Sequence, residues 1–318
     1  MRRLWVCQQK KWRSMKASVW CITYNHEKFI SKALDGMLLQ KTSFDFEIVV
    51  GDDASKDSTV QIIEKYQERF PGRIRCIKNA QNIGVSANVI QTLNACTGEY
   101  IALCEGDDYW TDENKLQKQI DFLEANRGFS MVFHRCEIVD KDGVYMRSTN
   151  EDVGKSIFTT VDVIQQIGFI MTCSIVFRRQ ALMLPVWFSK FFAGDLMIQL
   201  HCSLNGSIYF LNESMGCYRK HPAGISDRVN GIKIEKGTKQ LCDILDLFDS
   251  DTQLAFHEVI VGRKKMLNHS MVEDFAYAIL KSNYWKGEYW KLYYRICKYS
   301  DFSNPLHVKY IVRYLLPF

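Results

Sequence analysis

Three observations predict an α/β fold with a mostly parallel central sheet flanked by helices. Short apolar runs, composed like strands buried on both faces, alternate with segments of helical period over the first 110 residues. The helical segments are long enough to serve as crossovers, which parallel pairing requires. Breakers such as Pro71-Gly72 and Thr97-Gly98 stand where a helix must hand the chain back to a strand.

Taken in order, residues 18–23 form the first strand, and 28–40 place Phe29, Ala33, Met37 and Leu38 near helical spacing. Residues 46–50 are a second strand running into Gly51-Asp52-Asp53. A helix opens at Ser58 and carries Val60, Ile62, Ile63, Tyr66 and Phe70. Strands over 74–78 and 100–104 enclose a helix over 85–96. The second half is less regular. Residues 112–126 make an amphipathic helix with Leu116, Ile120 and Leu123 inward, and 131–139 a strand ending in a Lys141-Asp142-Gly143 hairpin turn. Thr160 caps a short helix to Gly168. Strands are expected over 171–177, 207–211 and 215–219, with a helix over 194–204. Beyond Ser226 the pattern turns helical and aromatic. The boundaries are therefore a basic leader over 1–16, an α/β body over 17–227 in two halves (17–110 and 111–227), and a helical region over 228–318.

Composition narrows the class. With 318 residues, 47% apolar, the chain is long enough to bury a core without disulfides. Its eleven cysteines include no C-x-x-C pair, and Cys21, Cys76 and Cys104 lie inside apolar runs, which reads as buried thiols in a reducing compartment. No apolar run approaches a bilayer span, and no secretory signal pattern precedes the first strand, so a cytoplasmic location is expected. The net charge of +5 is unevenly spread. Residues 1–16 hold six Lys/Arg and no acid, and residues 281–318 seven against Glu288 and Asp301, so the body between is acidic. An acidic body with basic ends is not a nucleic-acid binder. The leader is expected to be disordered. The tail interleaves Trp285, Trp290, Tyr293, Tyr294, Tyr310 and Tyr314 with bases, which suits peripheral contact with an anionic membrane.

Ligands of open α/β sheets bind beyond the carboxyl ends of the strands. Those ends are Thr23-Tyr24-Asn25-His26-Glu27, Gly51-Asp52-Asp53-Ala54-Ser55 and Glu105-Gly106-Asp107-Asp108-Tyr109-Trp110. No glycine-rich phosphate cradle occurs. Carboxylates repel a pyrophosphate unless a divalent cation bridges them, and Mg²⁺ or Mn²⁺ takes such oxygen ligands. Carboxylates at the other strand end can accept hydrogen bonds from a ribose or a base. Together these acids describe a nucleoside-diphosphate site with a metal bridge, although Asp52-Asp53 alone is also what an Asx turn looks like.

The same motifs, in register from about residue 17 to 123 and more loosely to Ser226, resemble the bacterial inverting family 2 glycosyltransferases of the GT-A fold. The resemblance rests on Thr-Tyr-Asn-His-Glu-Lys-Phe-Ile from Thr23 and Glu-Ile-Val-Val-Gly-Asp-Asp-Ala-Ser-Lys-Asp-Ser-Thr from Glu47. It continues through Asn82-x-Gly84, Gly98-Glu99-Tyr100-Ile101 and Glu-Gly-Asp-Asp-Tyr-Trp from Glu105. It implies that Thr23, Tyr24 and Glu27 line the nucleotide pocket, that Asp52 or Asp53 binds the uracil or ribose side, and that Asn88 faces the donor. Glu105 and Gly106 join the nucleotide side, and Asp107 is the last carboxylate of an Asp-x-Asp metal motif. Glu105 replaces the first Asp, which leaves open whether it touches ribose, metal or neither. Asp108 would reach the sugar or the water shell of the metal, and Trp110 would either floor the donor or acceptor sugar or be a core aromatic.

An inverting transfer is a single displacement that needs a base on the far side of the sugar. The resemblance gives that role to Asp195, ahead of a helix and Gly206-Ser207-Ile208-Tyr209; an N-cap role is compatible with it but would lower its pKa and weaken it as a base. Glu213 is the next acid onward. The Tyr218-Arg219-Lys220-His221 segment implies Arg219 beside the leaving group and His221 on the metal or a phosphate. Phe169–Ser174 and 187–192 would wall the acceptor. The implied partners are a nucleotide-sugar donor, UDP-linked, and a saccharide or lipid-linked acceptor, in polysaccharide synthesis (capsule, O-antigen or exopolysaccharide). Two other classes remain at this point: a nucleotidyltransferase, which would want a basic glycine-rich loop after the first strand, and a catalytically degenerate scaffold.

Overall fold

In a computed structural model of the chain, residues 15–151, 153–222, 224 and 231–281 are described. The leader over 1–14 and the tail over 282–318, with the disorder and membrane expectations attached to them, lie outside the described residues.

The sheet starts from β1 (Ala17–Thr23), buried along its whole length because helices cover both faces. α1 (Ile30–Leu38) follows, burying Ile30, Ala33, Leu34 and Met37. β2 (Phe46–Asp52), α2 (Thr59–Arg69), β3 (Ile74–Lys78), α3 (Val85–Ala95) and β4 (Tyr100–Leu103) continue the alternation. β5 (Tyr109–Trp110), α4 (Lys115–Ala125), β6 (Phe129–Val139), β7 (Tyr145–Ser148) and β8 (Ile157–Phe158) come next. They are followed by α5 (Thr160–Gln165), β9 (Val176–Arg178), α6 (Gly194–Ser203) and β10 (Ser207–Arg219). α7 (Gly231–Asp251) and α8 (His257–Lys281) close the described chain.

The strand order is β3-β2-β1-β4-β9-β6-β10-β5, with β7 on β6 and β8 on β10. The sheet is mixed rather than mostly parallel. β3, β2, β1 and β4 run parallel, as do β6 and β10, but β9 runs antiparallel between β4 and β6. β9 is shorter than the strand expected over 171–177 because Thr172–Ser174 form a 3-10 turn. The Ser174 hydroxyl and N–H both donate to the Met171 carbonyl, at 2.6 and 3.0 Å, and that pulls the chain out of extension. The two strands expected after α6 are one, β10, with register irregularities between Leu211 and Gly216 that absorb exposed Asn212 and Glu213.

The described residues divide into two compact units, one from 15–159 with Gly168–Arg219, the other from Thr160–Ile167 with those described between 220 and 281. The first holds the whole sheet. Its core joins β1, β2, β4 and β6 to α1 and α4 through Val19, Cys21, Ile48, Val50, Leu116 and Val132. In the second, α7 packs on α8 and buries Ile244, Leu245 and Phe248. Among the described residues no helix is long and apolar enough to cross a membrane.

Candidate active site

Because β1, β2 and β4 are parallel, their carboxyl ends open on one side of the sheet. Three loops meet there. The loop after β1 is laced to the one after β2: Asn25 N–H donates to Ser55 Oγ (2.9 Å), Lys56 N–H to Asn25 Oδ1 (2.8 Å) and His26 N–H to Thr59 Oγ1 (2.9 Å). Asn25 sits at φ 56°, a left-handed conformation that asparagine tolerates. Glu27 Oε2 accepts Ser58 N–H at 3.0 Å just ahead of α2. The loop after β4 extends along β1, where Gly106 N–H donates to the Ile22 carbonyl (2.9 Å). A Cβ on Gly106 would lie 2.9 Å from Thr23 Oγ1 and 3.0 Å from His26 Nδ1, so only glycine allows this approach.

A cavity of ≈ 550 Å³, within the range of nucleotide-sized pockets, opens beside Tyr24, Asp52, Lys56, Lys78 and Asn79. Tyr24 is 39% exposed there. The two neighbouring aspartates separate. Asp52 takes Ser55 N–H and the Ser55 hydroxyl on its two oxygens, at 2.9 and 2.5 Å. Asp53 accepts from Asn79 Nδ2, Ile83 N–H and Gly84 N–H, which folds the segment between β3 and α3. Asn88 does not face a donor: it is buried and donates through Nδ2 to the Gly51 carbonyl at 2.9 Å, bracing α3 against β2.

Glu105, Asp107 and Asp108 converge, with one carboxylate oxygen from each lying within 4.8 Å of the others. Burial first, then the neighbouring Asp107 and Asp195 carboxylates, push Glu105 well above the usual carboxylate range, partly opposed by the Thr172 hydroxyl. Burial, the Cys173 thiol, Asp107 and Glu105 do the same to Asp108. Asp108 Oδ2 is buried and, among the described residues, has no N–H or O–H donor on it, while the Cys173 thiol approaches the carboxylate. His26 Nε2 stands 3.9 Å from Asp107 Oδ2. Crowded, desolvated carboxylates with an unused oxygen fit a divalent cation, which would relieve all three at once. Beneath them Lys115 is fully buried with its ammonium 4.0 Å from the Trp110 ring centre, and burial lowers its pKa to about 8.

Asp195 lies in the first turn of α6, whose N-cap is Ala193, so it is not the cap itself. Burial raises its pKa against the backbone N–H groups of Leu196 and Asp195, which lower it. The turn before α6 is tied to α3 by Ser86, whose hydroxyl donates to the Phe191 carbonyl. This brings Asp195 close enough to Glu105 to raise its pKa.

Other expected positions turn out differently. Trp110 is a core side chain, 2% exposed, with its indole N–H donated to the Cys173 carbonyl (2.8 Å), and offers no face to a sugar. Trp187 and Phe188 are likewise buried. Arg219 is turned to the acid loop and the β6–β7 hairpin by hydrogen bonds from its guanidinium to main-chain carbonyls. Glu213 is ion-paired with Lys118 at 2.6 Å. Two residues reach the acids in ways the local sequence does not signal: His26, inside a motif but without a role of its own there, and Thr172, which lies within the expected acceptor wall yet hydrogen-bonds Glu105.

Residues 18–183 match the family model described as Glycosyl transferase family 2. An uncharacterized protein of Mycobacterium tuberculosis is 38% identical over 215 residues, covering 65% of this chain and 60% of its own. The chain thus spans about 60% of the length of such curated relatives. The crystal structure of Staphylococcus aureus TarS 1–349 superposes with TM-score 0.59 at 19% identity, covering 90% of this chain and 80% of that one. TarS has also been crystallised with UDP and with UDP-GlcNAc. The mannosyltransferase PcManGT of Pyrobaculum calidifontis, in complex with GDP-Man and Mn²⁺, superposes with TM-score 0.58 at 14% identity over 95% of this chain and 79% of that one. These likenesses give the fold as GT-A, and since the family model takes in more than half of the sequence, the chain belongs to the family 2 glycosyltransferases.

Proposed function

We propose that this enzyme transfers a sugar, with inversion, from a UDP-sugar to a saccharide or lipid-linked acceptor of cell-surface polysaccharide synthesis, using Mn²⁺ or Mg²⁺. The observation that carries the reading is the convergence of Glu105, Asp107 and Asp108 at the end of β4, with Asp195 beside Glu105. The uridine donor is supported by the UDP and UDP-GlcNAc complexes of TarS, and the metal by the Mn²⁺ complex of PcManGT. The nucleoside fits the cavity at Tyr24 and Asp52. Asp107 and Asp108, with Glu105, would hold the cation, which neutralises charge on the departing diphosphate. Asp195 takes the proton of the acceptor hydroxyl as that oxygen attacks the anomeric carbon opposite the leaving group. Arrangement at the inner membrane face through the basic tail belongs to the same reading.

A donor panel of UDP-, GDP- and TDP-sugars with mass-spectrometric readout tests it. Mn²⁺-dependent hydrolysis or transfer from a UDP-sugar is expected, and Asp107→Ala should abolish it. Hydrolysis that persists unchanged in Asp107→Ala would remove the metal assignment.

A further inference from the structure

Arg219 ends β10 and is 6% exposed. Its backbone N–H donates to Asp108 Oδ1 at 2.8 Å, and its Nε–H to the Asp107 carbonyl at 2.9 Å. Its Nη1 donates to the carbonyls of Asp140 (3.3 Å) and Lys141 (3.1 Å). The guanidinium also lies over the rings of Phe29 and Tyr109, 4.9 and 5.3 Å from their centres. The guanidinium therefore ties the Asp107 main chain to the tip of the β6–β7 hairpin, while the backbone N–H of the same residue holds the Asp108 carboxylate. The tip has its own geometry: Asp140 Oδ1 accepts Asp142 N–H and Val144 N–H, both at 2.9 Å, and Gly143 sits at φ 85°.

An arginine fixed from two sides by carbonyls and rings is poorly placed to swing onto a leaving phosphate. Its planar fork suits a clasp, because Nε and Nη1 donate in different directions from one rigid group, which a lysine cannot do. Aspartates that must share a cation depend on such neighbours for their orientation.

We propose that Arg219 is a positioning residue: it clasps the acid loop to the β6–β7 hairpin, fixes the orientation of Asp107 and Asp108, and so sets the affinity for the divalent cation without contacting the donor. This rests on the metal reading above. It also makes the hairpin tip part of the metal site's support.

The test is Mn²⁺ binding to the full-length protein, read by electron paramagnetic resonance with and without UDP, alongside kcat at saturating Mn²⁺. Arg219→Lys and Arg219→Gln should both weaken Mn²⁺ binding ~10- to 100-fold, with most of kcat recovered at saturating metal. Gly143→Val strains the hairpin tip beside the Arg219 guanidinium and should shift Mn²⁺ binding in the same direction with the arginine itself retained. Circular dichroism checks that each variant is folded. If both Arg219 variants bind Mn²⁺ like the unsubstituted protein, or if Arg219→Lys alone restores activity, the residue acts through its charge and the clasp is wrong. Should the Arg219 variants not fold, unchanged Mn²⁺ binding by Gly143→Val overturns the proposal. An unsubstituted protein that binds no Mn²⁺ even with UDP would overturn the metal reading, and the clasp with it.

Discussion

Asp195 illustrates how one position in a helix decides the chemistry of a side chain. At the cap it would be stabilised as an anion by orphan N–H groups and would be a weak base. One step inside the first turn of α6, burial outweighs those N–H groups and its pKa rises. A base must be deprotonated to act, so the rate should fall as pH drops through that raised value, above the usual ~4 of a carboxylate. Asp195→Asn should lower kcat by ~10²–10⁴ with donor KM little changed, and should erase this acidic limb from the pH–rate profile. A variant that keeps both its rate and its limb would move the base to another group. Trp110 carries the opposite lesson. An aromatic after an acidic loop reads as a sugar platform, but its N–H belongs to a carbonyl 63 positions later, and that partner cannot be seen from the local sequence.

At the scale of elements, the acids after β2 look equivalent in sequence and divide in the fold. Asp52 faces the cavity while held by Ser55, and Asp53 organises the segment between β3 and α3. Asp53→Ala would strand Ile83 N–H and Gly84 N–H, costing ~1–3 kcal/mol of stability. Since that segment supplies Asn79 and Asn82 to the cavity wall, donor KM should rise more than kcat falls. Urea unfolding and steady-state kinetics measure the two effects, and an unchanged KM would separate this loop from donor binding. The order of strands and helices up to β4 was legible because each strand is a continuous apolar run and each crossover a full helix. The acid loop was legible because such residues rarely follow an apolar strand without a task. β5 and β8, two residues each, lie below any periodicity, and β9 enters the sheet through pairings with β4 and β6 that no local pattern records. The Arg219 clasp was hidden for the same reason, since it joins residues 111 and 112 positions apart.

For the molecule as a whole, the acidic character of the body has a thermodynamic consequence. The carboxylates at the end of β4 are desolvated and repel one another, so without a cation the unit that contains them folds against a local penalty. A nucleoside diphosphate adds further negative charge to the same place and should not bind well alone. With Mn²⁺ the two charges become complementary, and binding should stabilise the first unit by RT ln(1 + [L]/Kd), about 2.7 kcal/mol at a hundredfold excess over Kd. For a unit of this size that corresponds to a rise of roughly 5–10 °C in its melting temperature. Calorimetry should therefore show a large shift with UDP and Mn²⁺ together, a smaller one with Mn²⁺ alone and almost none with UDP alone. The order follows from charge, because the cation relieves repulsion already present while the diphosphate by itself increases it. A shift with UDP alone as large as with the pair would mean that the diphosphate finds its counter-charge in protein groups, and the acid loop would then need a different task.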